Sequence, residues 1–330
     1  MALPVRYKIF IYVFLFIVLV SLGSVFSFNY WIDPLWTFSH QHDYNDVQVV
    51  IDERQQKVNH LYYQSPNYDT LLIGSSRTTY INQEGFGDFS VYNFAASDLS
   101  FLEYEAMIDY FIQQNERDLE RIIIGVDFFK SSVQESQNPV ALKPYIDKVK
   151  APFYRYKQLL SLDLLDYSRR NYRISKANNI ALERNYNRDN IAFARQFEPS
   201  SIERQTDEKI DTFTSTFYGE HYVYNEDIKH VFGRIKTRYP DIELIIFTTP
   251  IMTDLYQAMI DSGNKPDYDR WLKDLESVAD QLIHFMYPNT ITNDRMNYFD
   301  GHHFYPRVGD IIADVIYSRT PHDDFGIILK

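Results

Sequence analysis

The apolar positions change period along the chain, and those changes mark out its elements. From residue 9 to residue 32 no side chain is charged, and the stretch 9–28 is predominantly apolar on every face of a helix. That is the roughly 20 residues a helix needs to cross the hydrocarbon of a bilayer. The pattern then turns polar with scattered aromatics, so 33–68 reads as a connector holding one helix over 52–63, closed by the turn residues Pro66 and Asn67. Short continuous apolar runs follow at 69–73, 91–94, 121–126, 244–247 and 282–285. Runs of this kind suit strands covered on both faces. Helical spacing separates them: Ser100 with Glu103 forms a capping box ahead of Phe101, Tyr104, Ile108, Phe111 and Ile112, and further helices are expected at 226–238, 267–279 and 309–317. Strands and helices alternating in this order predict an α/β fold built on a doubly wound parallel sheet.

One interval breaks the alternation. Residues 128–224 carry basic and tyrosine-rich segments with helical character, such as 167–173 and 181–188, and no strong strand. This reads as a helical insertion in a domain spanning 69–330, placed over the carboxyl edge of the sheet where α/β folds hold their ligands. A surface helical pair that binds nothing is the plainer alternative.

The flanks of the first apolar stretch give it a direction. Arg6 and Lys8 precede it and the next Lys or Arg is Arg54, so the positive-inside rule puts the N-terminus in the cytoplasm and the main domain outside, in the periplasm or at the cell surface. Residues 1–32 are then a cytoplasmic stub and anchor, and Tyr30, Trp31 and Trp36 suit the far interface. A cleaved signal peptide, cut near Ser24 or Ser27, is the competing reading. The apolar run exceeds the usual core of about 7 to 15 residues, and no A-x-A-like site closes it.

Charge and cysteine content remove several classes of function. A net charge of -12 with no dominant Lys/Arg cluster argues against nucleic acid as a partner. The absence of cysteine excludes a disulfide framework, thiolate metal sites and a cysteine nucleophile.

Two segments carry candidate chemistry. The run 71–77 reads as a buried strand entering a tight turn that presents Ser75, Ser76 and Arg77, and a late loop offers Asp300, Gly301, His302 and His303. A serine hydroxyl needs a base to remove its proton, and the base needs a third group to orient it. Ser76, His303 and Asp300 supply those three roles, with Asp300 spaced to orient His303; either histidine could be the base on residue type alone. Asp300, His302 and His303 could instead hold a metal, although adjacent histidines in an extended chain point to opposite sides. Arg77 could meet an anionic group or pair within the fold.

With these residues the chain resembles the SGNH, or GDSL-like, hydrolase superfamily, in the membrane-anchored branch that includes DltD-like and alginate O-acetylation proteins. Gly74-Ser75-Ser76 stands where that family has Gly-Asp-Ser, Asn93 to Ser97 follows the second strand, Gly125-Val126-Asp127 follows the third, and Asp300 to His303 lies near the end. The resemblance implies a flavodoxin-like three-layer α/β/α fold of SGNH type, with Ser76 as nucleophile, His303 as base and Asp300 as its partner. It implies an oxyanion hole from the backbone of Ser76, the N–H of Ala95 or Ala96, and a side chain at Asp127. Asp127 departs from the family's asparagine, and a carboxylate there would repel an oxyanion, so Asn93 or Arg77 would have to serve. The implied activity is that of an esterase or O-acyltransferase needing no metal or organic cofactor. It would act on a cell-envelope or exported polysaccharide, with an acyl-donor membrane protein as partner in the transferase case; a catalytically silent scaffold or polysaccharide-binding protein is the alternative.

Overall fold

The five apolar runs become five strands of a six-stranded sheet. Taken in chain order these are β1 (Thr70–Gly74), β2 (Val91–Asn93), β3 (Arg121–Val126), β4 (Glu243–Thr248), β5 (Gln281–His284) and β6 (Ile327–Ile328). Their spatial order is β2-β1-β3-β4-β5-β6, parallel throughout except that β6 runs antiparallel to β5 at one edge. Ile122 to Val126 and Leu244 to Thr248 are buried along their whole length, as a sheet covered on both faces requires. The strand order reverses at β1, with β2 on one side and β3 on the other, and a crevice opens at the carboxyl ends of strands at such a point.

The computed structural model describes residues 4–177 and 183–330. The chain divides into two compact units, one within Met1–Gln64, Pro144–Ala181 and Asn185–Arg188, the other within Ser65–Lys143, Leu182–Arg184 and Asp189–Lys330. The second unit holds the sheet. Its helices include Tyr104–Gln114, which follows the capping box at Ser100 and Glu103, and Asp227–Arg238, Lys265–Val278 and Pro306–Ser318. The last begins three residues before its expected start, because Pro306 is tolerated in a first helical turn whose N–H groups lack partners anyway.

The first unit is led by the helix Val5–Ile32, whose apolar window is wholly unburied and is long and apolar enough to span a membrane or to be a signal sequence. A core helix is thereby excluded for that stretch. Its last turns belong to the fold. Phe26 packs on Phe38, Leu159 and Leu164, while the buried Asn29 amide donates to the carbonyls of Leu159 (2.9 Å) and Ser161 (3.1 Å) and its oxygen accepts from Ser168 (2.8 Å).

One local reading is corrected, and one strand is new. Within 181–188, residues 181 and 182 lie outside the described residues, and Asn185–Tyr186 is extended rather than helical, pairing antiparallel with Gln48–Val49. The buried Tyr186 hydroxyl donates to Glu53 (2.7 Å), so tertiary contacts override local propensity. The strand β6 was not foreseen, since two residues are too short a run to show a period.

Candidate active site

Strand register assembles the floor of the site. Gly74 pairs with Gly125 and Val126 with Thr248, so the residues that leave the three central strands, Ser75, Asp127 and Thr249, emerge side by side. Close approach requires glycine here: a Cβ on Gly74 would lie 2.9 Å from the Gly125 carbonyl, and one on Gly125 would lie 2.6 Å from the Phe247 ring. Ser76 sits one residue further, at the start of a turn held by the Thr78 N–H on the Ser75 carbonyl (3.1 Å) and the Thr79 hydroxyl on the Ser76 carbonyl (2.6 Å).

The opposing loop is shaped by Asp300 and Gly301. Gly301 adopts φ +70°, a left-handed conformation that glycine takes without a Cβ penalty. The turn lets one Asp300 oxygen accept the N–H groups of His302 (3.0 Å) and His303 (2.6 Å), leaving the other for the His303 ring. His303 Nδ1 lies 2.8 Å from that second oxygen, and Nε2 lies 2.9 Å from Ser76 Oγ. Phe299 stacks parallel to the imidazole at 5.4 Å and Tyr80 meets it edge-on at 6.3 Å, so the ring is held in the plane that joins Asp300 to Ser76.

The electrostatics keep Asp300 ionised. Burial raises its pKa, but the His303 ring, the Lys209 ammonium (3.2 Å) and the His303 N–H together outweigh burial and hold the carboxyl well below the usual carboxylate range. Lys209 comes from the helix Pro199–Thr216, so the interval expected as an insertion contributes a group to this site. A polar hollow of about 240 Å³ opens there, lined by Lys209, Gln205, Glu208, Thr212, Glu183 and Asp300. The i, i+4, i+7 spacing of Gln205, Lys209 and Thr212 marks one helix face, but nothing in it points to Asp300.

His302 takes no part in this line of contacts. Its ring stands at 88° to that of His303 and faces Phe129 (5.2 Å) and Phe213 (4.9 Å). Burial first, then the Arg77 charge, pushes its pKa well down, so it is a neutral side chain in an aromatic pocket. Among the described residues no group of three or more His, Cys, Asp or Glu side chains is arranged to hold a metal.

The expected oxyanion donors make bonds of their own within the fold. The Asn93 amide donates to the carbonyls of Thr78 (3.0 Å) and Ile81 (2.9 Å), and its oxygen accepts the Ala95 N–H (3.0 Å). The Ala96 N–H donates to the Gly74 carbonyl (3.1 Å). Asn93, Ala95 and Ala96 therefore brace the turn at Ser76 and have no donor to spare. Asp127 is buried, accepts from the hydroxyls of Ser75 and Thr249 (2.5 Å) and pairs with the equally buried Arg77 (2.5 Å). Its charge is neutralised beneath the turn. Among the described residues the Ser76 N–H has no acceptor, which leaves it able to donate to a substrate oxygen.

No family model matches this chain, and no curated protein matches it either. Among solved structures, a protein from Streptococcus pneumonia described as a platelet activating factor aligns at 11% identity with a TM-score of 0.38, over 81% of this chain and 90% of that one.

Proposed function

We propose that this chain is a membrane-anchored, extracytoplasmic serine esterase or O-acyltransferase of SGNH type, acting on acyl esters of a cell-envelope or exported polysaccharide. The observation that carries the reading is the line Ser76 Oγ, His303 Nε2, His303 Nδ1, Asp300, with contacts of 2.9 and 2.8 Å. His303 takes the Ser76 proton as Oγ attacks the acyl carbonyl, and Asp300 steadies the imidazolium that forms. The Ser76 N–H meets the developing oxyanion. His303 returns the proton to the departing alcohol, and a water or sugar hydroxyl then takes the acyl group by the reverse sequence. The anchor is the helix Val5–Ile32, and its retention is supported by the way Phe26 and Asn29 are built into the fold. The polysaccharide substrate and an acyl-donor partner in the membrane rest on the family resemblance.

A second reading has its own observation. With Asp127 tied to Arg77 and three expected donors engaged, the oxyanion hole is sparse, which suits a silent scaffold that keeps the fold. A fluorophosphonate probe separates the two. The wild-type protein should label, with labelling abolished in Ser76→Ala and reduced at least about a thousandfold in His303→Ala; an unlabelled wild type that is folded would leave the scaffold. Mass analysis of ester-linked acyl groups on envelope glycans, with and without the protein, then tests the substrate.

A further inference from the structure

Charge is distributed unevenly in this acidic chain. Residues 148–177 contain eight Lys or Arg and only two Asp or Glu, an excess of six positive charges in a protein of net charge -12. The segment belongs to the same compact unit as the apolar helix Val5–Ile32. Within it, Arg169, Arg170, Arg173 and Lys176 are exposed on the helix Leu162–Ala177.

The same segment exposes large apolar side chains: Phe153 at 74%, Leu162 at 72%, Tyr156 at 49% and Leu160 at 46%. Such exposure is unusual in a segment that also carries cations, and together they give it the amphipathic composition of chain that lies in a membrane interface. Its height along the anchor is fixed by hydrogen bonds. Asn29 donates to the carbonyls of Leu159 and Ser161, which bracket Leu160, and Tyr172 meets Phe28 at 6.0 Å. At 1.5 Å per residue, a span that starts at Ile9 crosses about 30 Å of hydrocarbon by Phe28. Leu160 and Leu162 are thus held at the level where the helix leaves the apolar layer.

We infer that residues 153–176 form a second, interfacial seat on the bilayer, with Phe153, Tyr156, Leu160 and Leu162 entering the interface and the cations of Leu162–Ala177 facing anionic lipid headgroups. The inference rests on the anchor reading. It adds that the anchoring unit is docked on the membrane surface beside its helix. The cations lie more than a hundred residues beyond the span, where the positive-inside bias no longer acts, so they do not oppose the proposed orientation.

The chain has no cysteine, so single reporters can be placed in the full-length protein. Leu162→Cys and, as a control in the other unit, Met296→Cys are reconstituted into phosphatidylcholine vesicles with or without phosphatidylglycerol and reacted with a water-soluble maleimide. With phosphatidylglycerol, modification of Leu162→Cys should slow about tenfold or more relative to detergent, while Met296→Cys reacts alike in both. Adding Arg169→Glu, Arg170→Glu and Arg173→Glu should remove the dependence on phosphatidylglycerol. Equal reactivity of Leu162→Cys in vesicles and detergent, in a chain that resists alkaline carbonate extraction, overturns the seat and leaves the anchor standing. Release by carbonate overturns both. Tryptophan and circular-dichroism spectra matched to wild type guard against misfolded variants, and Tyr156→Cys serves as the second reporter if Leu162→Cys fails that check.

Discussion

Replacing Arg77 by methionine tests how the floor of the site is built. The guanidinium and the Asp127 carboxylate are both almost fully buried, at 1% and 2% side-chain exposure, and lie 2.5 Å apart. Removing the cation leaves a carboxylate with no charge partner among buried hydroxyls, and breaking a buried pair in this way costs about 3–5 kcal/mol. Among the described residues two Arg77 nitrogens, Nε and Nη1, have no hydrogen-bond partner, so the cost of burying the guanidinium is itself poorly offset. Removing both charges should therefore be far milder than removing either: Arg77→Met with Asp127→Asn is expected to lose about 1–2 kcal/mol, because an asparagine oxygen can still accept from Ser75 and Thr249. Hydrogen exchange of peptides covering β3, in the detergent-solubilised full chain, reads the difference. Arg77→Met should speed the slowest amides by roughly a hundred- to several-thousandfold, and the double variant by roughly tenfold. Single and double variants equally destabilised, or a single variant within about 1 kcal/mol of wild type, would refute the view that the two charges hold each other in place.

Two further outcomes follow from the His303 loop. Gly301→Ala forces a side chain into a left-handed conformation, with its Cβ 2.8 Å from Thr206, and should lower fluorophosphonate labelling at least about tenfold while exchange in the sheet stays near wild type; undiminished labelling would show that the turn does not set the Asp300 to His303 geometry. Lys209→Met removes one of the groups that depress the Asp300 pKa. A depressed carboxylate contributes stability that is present above its unfolded value near 3.9 and is lost as pH falls toward the folded value, so the variant should unfold at a higher pH on acidification and lose about 1 kcal/mol at neutral pH. An unchanged acid transition measured by circular dichroism would remove Lys209 from the account.

How much of this was legible in the sequence depends on the range of the interaction involved. The strands 121–126 and 244–247 announce themselves because an unbroken apolar run has few other uses, and Ser100 with Glu103 fixes a helix start through contacts three residues apart. Asp300 and His303 are legible for the same reason: one turn contains both partners. Lys209 was not, since a lysine on a helix face carries no mark of the carboxylate it meets 91 positions later. Asp127 is the sharper case. Read alone, an aspartate where the resemblance implies an oxyanion donor means repulsion, and the natural remedy is to look for a substitute donor in Asn93 or Arg77. The register that sets Gly74 beside Gly125 changes the question, because it brings Arg77 and Ser75 onto that carboxylate and makes Asp127 part of the support under the Ser76 turn. Asp127 and the arginine after Ser76 are then one feature. A chain carrying either residue alone would leave a charge buried without a partner, so the two are expected to be kept or lost together.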